Sequence, residues 1–263
     1  MTKLQLTAVF SAVLLLFVMY FGCETKARDI QRFEKSRALS SEKTDINLLL
    51  RDAQGAITEA QNNYVVTLSE QLEKAASDSV KVNLLKQLSG KWYEFGQPAI
   101  AGYYAQNVAE LLNSEDSWSV AGTTYAICVQ QMKSDDVREF CNKRAISAFE
   151  SAVSLNPENI AHRVNLALSY AEIPPADQPM KGITMLLDLN KKHPENVLIL
   201  NTLARLAIKT GQYDRALVRL NKAIENEPDN VSSICLLATV YDALKKPAEA
   251  QQYLEKCRAL QAR

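Results

Sequence analysis

The apolar positions of this chain follow three patterns in turn. From Leu6 to Gly22 the sequence reads "LTAVFSAVLLLFVMYFG", seventeen residues without a charge, at the short end of what crosses a bilayer as a helix. Residues 24–44 are polar and charged with no sustained period, and read as a tether. Beyond Thr44, whose hydroxyl suits an N-cap, Ile46, Leu50, Ala53, Ile57, Ala60 and Tyr64 step by 4, 3, 4, 3 and 4. That spacing lines one stripe of a long amphipathic helix, predicted to run to about Ala76. Thr67 and Gln71 fall where the next apolar members belong. Two uses of the stripe stay open: coiled-coil pairing with a second copy, or packing of a single helix on its own domain.

The third pattern occupies the rest of the chain. Blocks of helical periodicity are separated by near copies of one turn-like tetrapeptide: "NPEN" at 156–159, "HPEN" at 193–196 and "EPDN" at 227–230. Pro194 and Pro228 are 34 residues apart. Between them stand Leu203 and Ala204, a Gly211/Tyr213 turn, then Ala216, Leu220 and Ala223. This resembles the tetratricopeptide repeat, in which each unit is a helix, a short turn and an antiparallel second helix. Downstream, Leu237, Ala238, Tyr241, Ala250 and Leu254 keep the register, with Cys257 where Ala223 stood. Upstream, Leu166, Ala167, Tyr170, Gly182, Leu186 and Leu189 form a unit of 37 residues, whose three extra residues fit the proline-rich loop "EIPPADQP".

One unit earlier, Trp118, Ala121, Gly122 and Tyr125 match the first helix, and Ala145, Phe149 and Ala152 the second. Eleven residues more than the family spacing separate Tyr125 from Ala145. The excess predicts helices longer by about three turns in total, with Cys128 and Cys141 near the elbow. A weaker unit runs from Leu85 through Trp92 and Ala101 to about Asn113. The resemblance covers residues 80–263. It implies an all-α solenoid of four to five antiparallel helix pairs, in which Ala204, Ala216 and Ala223 permit close approach while Leu203, Tyr213 and Leu220 fill the gaps. The expected domains are a membrane anchor or signal segment at 1–23, a linker at 24–44, an amphipathic capping helix at 45–78 and the repeats at 79–263.

Composition narrows the function. Thirty basic residues balance thirty acidic ones, so the chain lacks the electrostatic excess that nucleic-acid binders direct at phosphate. Eight glycines and eight prolines are too few for a turn-rich β sandwich. No HExxH, CxxC or GxSxG motif appears, and the Gly90–Lys91 pair lacks the glycine that a phosphate loop needs five residues before it. His162 and His193 read as ordinary polar residues, and the five cysteines have no zinc-like spacing. No catalysis, cofactor or metal is expected.

The N-terminal segment supports an uncleaved anchor, a lipoprotein signal ending in lipidation at Cys23, or a cleaved secretory peptide. Lys26, Arg28, Arg32, Lys35 and Arg37 would hold the following side in the cytoplasm, whereas the signal-like position favours export. Cys128 and Cys141 are close enough to pair, which suits an oxidising compartment; buried reduced thiols are the alternative. Four-residue spacing puts Asn201, Arg205 and Lys209 on one face, and family geometry turns that face into the concave groove. The expectation is a bacterial membrane-anchored, single-pass repeat protein, its soluble domain extracytoplasmic, that binds a protein or peptide in the groove. The alternatives are a self-assembling homo-oligomeric spacer through 45–78, or an envelope or cytochrome-maturation assembly factor.

Overall fold

The computed structural model describes Gln5 and residues 44–262. The Leu6–Gly22 segment, Cys23 and residues 24–43 of the tether lie outside the described residues. Among those described, twelve helices and no strand occur: α1 (Ile46–Ala56), α2 (Glu59–Lys74), α3 (Asp78–Glu94), α4 (Pro98–Leu112), α5 (Glu115–Gln131), α6 (Asp135–Leu155), α7 (Ile160–Glu172), α8 (Lys181–Lys192), α9 (Val197–Lys209), α10 (Tyr213–Asn226), α11 (Val231–Ala243) and α12 (Pro247–Gln261). From α3 onward they form five antiparallel pairs, each packed on the next. None of the described helices is long and apolar enough to cross a membrane.

The repeated tetrapeptide is a helix stop joined to a helix start. Asn156, His193 and Glu227 end the second helices, their amides donating to the carbonyls of Ala152, Leu189 and Ala223. Three residues on, Asn159, Asn196 and Asn230 donate back to the carbonyls of those same residues, closing a turn. Each of these asparagines also caps the next first helix through its side chain, which accepts from Ala161 and His162, from Ile199, or from Ser233. A side-chain cap of this kind contributes about 1 kcal/mol.

The turn inside three of the five pairs, α3/α4, α9/α10 and α11/α12, is equally repetitive. The amides of Gly96, Gly211 and Lys245 donate to Tyr93, Ile208 and Asp242, and those of the following residues to Trp92, Ala207 and Tyr241. This double closure needs a left-handed residue, and φ is 72°, 72° and 57° at the three positions. Glycine meets the requirement without strain. Lys245 does not.

Small residues set the distance between helices. Ala204, Ala216 and Ala223 are fully buried, the first two clustered with Leu220 and Leu237 and the third with Val197 and Leu200. A side chain on Gly122 would meet the Phe149 ring at 2.7 Å, and one on Gly182 would strike the Ala167 carbonyl oxygen, so α5/α6 and α7/α8 touch almost backbone to side chain or backbone to backbone. The eleven surplus residues lengthen α5 to 17 and α6 to 21 residues, where α9 and α10 have 13 and 14. The surplus of the next unit stays in the loop from 173 to 180.

The stretch expected to be one helix over 45–78 is two. Thr58 starts α2 with a capping box, its hydroxyl accepting from the Gln61 amide while the Gln61 side chain accepts from the Thr58 amide. The break shifts the helical phase. Val65 and Leu68, rather than Ala60 and Tyr64, are buried, beside Ala53, Leu84, Leu88, Trp92 and Ile100. The part of the stripe in α1, together with Val65 and Leu68, therefore packs on the α3/α4 pair.

Two disulfides fasten hairpins. Cys128 of α5 is bonded to Cys141 of α6 across the Met132–Ser134 elbow, and Cys235 of α11 to Cys257 of α12. Cys257, read from the sequence as a small packing residue, is half of a covalent link.

Candidate partner-binding groove

Pairing buries the second-helix side of each first helix and leaves the opposite side of α3, α5, α7, α9 and α11 to line one face. Along it the first helices from α5 onward touch their successors directly. Between α5 and α7 lies a cleft of about 240 Å³ lined by Thr123, Ile127, Gln130, Asn165, Leu168 and Glu172, with Phe149 of α6 as part of its floor. A second, larger cleft of about 430 Å³ lies between α3 and α5, over Ala105, Val108 and Leu112 of α4. Lys86, Gly90, Asp116 and Val120 form its walls.

Charge concentrates at the other end. Glu172, at the end of α7, accepts from Lys209 Nζ at 3.0 Å and lies 3.9 Å from the Arg138 guanidinium. Arg138 also donates through Nε to the Val129 carbonyl at 3.1 Å, which fixes its position over the end of α5. Arg205 donates to Ser232 Oγ of α11 at 2.6 Å and remains exposed. Glu172 thus stands between two cations, and Arg205 has a neutral partner.

The three residues expected in the groove part company. Arg205 and Lys209 are on its surface. Asn201 is 5% exposed, donating to Asn230 Oδ1 at 3.2 Å and accepting from Ser233 Oγ at 2.8 Å. It braces α9 against the cap of α11 and has no side chain to offer a ligand. Glu172, Arg138 and the apolar clefts were not singled out in the sequence. Their signal was available, since the family register that places Lys209 inward places Glu172 at the same point one unit earlier.

Deeper polar groups hold the frame. Tyr125, fully buried, donates to Gln106 Oε1 at 3.1 Å, and burial pushes its hydroxyl far above the usual range despite the nearby Arg144 guanidinium, so it acts as a neutral donor. Tyr170 donates to Glu150 at 2.9 Å under the Lys181 ammonium, 3.7 Å from the ring centroid. His162 is buried at the start of α7, Nε2 lying 3.0 Å from Asn159 Nδ2 and 3.5 Å from Glu115 Oε2. Among the described residues no cluster of His, Cys, Asp and Glu is arranged to hold a metal.

Two family models, both for the tetratricopeptide repeat, match residues 183–234 and 220–252. Residues 183–252 match the tetratricopeptide repeat. The matched residues take in α9–α11, where the stop-and-cap turns are most regular. Tetratricopeptide repeat protein 8 of Caenorhabditis elegans is 30% identical over 80 residues, 30% of this chain, and the match spans 16% of that relative's length. Among solved structures, a tetratricopeptide repeat protein from Parabacteroides merdae ATCC 43184 superposes with a TM-score of 0.54 over 76% of this chain and 72% of its own, at 13% identity. A thermophilic repeat protein of Thermus thermophilus gives a TM-score of 0.47 over 70% of this chain and 90% of its own, at 20% identity. The Parabacteroides likeness shows that the repeat fold extends beyond the residues the family models match.

Proposed function

We propose that this repeat protein is a non-catalytic scaffold, tethered to a membrane by its N-terminal segment, that binds another protein along the first-helix face. The observation that carries the reading is that face itself. It keeps Arg205 and Lys209 at its surface and holds two open clefts, while the second helices bury the residues that unite the stack. A tether raises the effective concentration of a partner on the same membrane, so modest affinity suffices. Export of the domain is supported by the two disulfides, which persist where thiols are oxidised. A lipid on Cys23 would be an alternative tether.

Self-assembly through 45–78 finds less support. Of the stripe that would pair with a second copy, Ala53 is buried in the chain's own core and Ile46, Leu50 and Ile57 pack against it, which leaves Ala60 and Tyr64 exposed. The test is affinity capture with the 40–263 fragment, whose compact unit begins at Ile46. A specific protein retained by wild type and reduced at least tenfold by Arg205→Glu/Lys209→Glu is the expected result. Equal recovery by the two would remove the groove as the binding site.

A further inference from the structure

The two disulfides differ in how a reductant can reach them. Cys128 and Cys141 are both 0% exposed, in one cluster with Tyr125, Phe140 and Phe149. Cys257 is 7% exposed, and Cys235 is the one bonded cysteine that is partly open to solvent. Thiol–disulfide exchange begins when a thiolate reaches one sulfur of the bond, so access decides which bond reacts. The surroundings point the same way. Seven residues of α6 are buried, whereas in α12 Cys257 is the one buried residue. A helix with so little buried surface opens locally against a small free-energy difference, and each opening widens access to Cys235.

We propose that Cys235–Cys257 is a reversible thiol–disulfide exchange site whose co-reactant is a protein dithiol, and that the bond acts as a latch on α12. A thiolate of the dithiol attacks Cys235 Sγ. The bond between Cys235 and Cys257 breaks, a mixed disulfide forms at Cys235, and Cys257 leaves as a thiolate that takes a proton. The second thiol of the reductant, once deprotonated, attacks its own sulfur in the mixed disulfide and releases Cys235, which is protonated in turn. Two electrons have passed to Cys235 and Cys257, and the dithiol has become a disulfide. Cys128–Cys141 stays oxidised throughout.

Reduction would act on more than one side chain. Without the covalent bond, α12 is left with half-buried Ala250, Tyr253 and Leu254, and with Lys256, which donates to the Pro228 carbonyl at 2.9 Å and pairs with Asp229 at 3.2 Å. Those two contacts tie α12 to the turn that carries Asn230, the cap of α11 and the brace of Asn201 in α9. Displacing α12 also takes Tyr253 off the Tyr241 ring, 5.4 Å away between centroids. The reduced protein keeps its other helix pairs and presents the surface of α11 that α12 covers in the oxidised one.

The test uses the full chain in detergent micelles, with free thiols first blocked by N-ethylmaleimide. Dithiothreitol is added, samples are quenched with iodoacetamide over time, and alkylation is read peptide by peptide by mass spectrometry. Cys235 and Cys257 should be alkylated about tenfold faster than Cys128 and Cys141, or more. Amide exchange across 247–261 should rise by about tenfold or more in step with that reduction, stay unchanged across 115–155, and fall again on reoxidation with oxidised glutathione. A CxxC protein dithiol whose second cysteine is replaced by serine should be captured as a mixed disulfide at Cys235. Equal rates at the two bonds, or faster reduction of Cys128–Cys141, overturn the proposal. So does reduction of Cys235–Cys257 with exchange across 247–261 unchanged, and so does capture of the dithiol at Cys257 or at neither cysteine. In Cys235→Ser/Cys257→Ser, exchange across 247–261 should already be raised and indifferent to dithiothreitol. A response that persists there would assign the change to Cys128–Cys141 and contradict the latch.

Discussion

The α5/α6 and α11/α12 hairpins are both closed by a disulfide, and they need it for different reasons. In α6, seven residues are buried, with Phe140, Cys141 and Phe149 packed against Tyr125 and Leu166, so non-covalent packing already fixes the helix. In α12 the one buried residue is Cys257 itself. What else holds α12 is shallow: half-buried Ala250, Tyr253 and Leu254, the Tyr241–Tyr253 stack at 5.4 Å, a Lys256 hydrogen bond to the Pro228 carbonyl at 2.9 Å and the exposed Lys256–Asp229 ion pair, a type of contact worth about 1 kcal/mol or less. Among the described residues α12 packs on α11. Here a covalent bond reinforces that interface, whereas in α5/α6 it stiffens an enlarged unit that packing has already ordered.

The largest expected effect separates the two bonds by location. Each closes a loop, of 13 and 22 residues, and chain entropy assigns each about 3 kcal/mol. Cys235→Ser/Cys257→Ser should raise amide exchange across 247–261 and leave 115–155 protected. Cys128→Ser/Cys141→Ser should lower the melting temperature while helix protection in α5 and α6 persists below the transition. Equal loss of protection in both hairpins would erase the contrast.

Overpacking gives the next largest difference. Ala216→Leu inserts three heavy atoms into a fully buried contact and should cost about 1–3 kcal/mol in chemical denaturation. Ala250→Leu, at the corresponding position of half-exposed α12, should cost less than about 0.5 kcal/mol. A similar loss at both sites would mean that α12 is held by packing after all.

The caps come third. Asn196→Ala should cost about 1 kcal/mol, and Asn230→Ala more than that, because Asn230 also accepts from Asn201 and Ser233. The smallest effect is a gain. Lys245→Gly relieves a left-handed lysine at the elbow of the terminal hairpin and should stabilise it by roughly 0.5–1 kcal/mol, visible as slower exchange in 247–261. Gly211→Lys should cost about as much.

Much of this frame was legible because it rests on local rules. Proline stops, glycine turns and alanines at close approaches mark α7–α12 directly, and the eleven-residue surplus reappears as the lengths of α5 and α6. The break at Ile57–Thr58 was legible too, in the Thr58–Gln61 capping pair, but a regular stripe running through it gave the stronger and misleading signal. The Cys235–Cys257 bond was overlooked since Cys257 substitutes acceptably for an alanine. Its geometry was nonetheless implicit: in an antiparallel hairpin, residues equidistant from the elbow face each other, and these two flank Lys246 symmetrically. Asn201 shows the limit of face assignment. Its helical position points inward, but the neighbouring cap at Asn230 takes up its amide, an interaction between residues 29 apart that no local pattern encodes.

The central claim, that a partner lies on the first-helix face, is tested most directly by photo-crosslinking. A crosslinking residue at Thr123, exposed in the α5–α7 cleft, is compared with one at Val218, 70% exposed on α10. The account predicts a discrete crosslinked product from position 123 and none from 218. A product from 218 with none from 123 would place the partner on the second helices and contradict it.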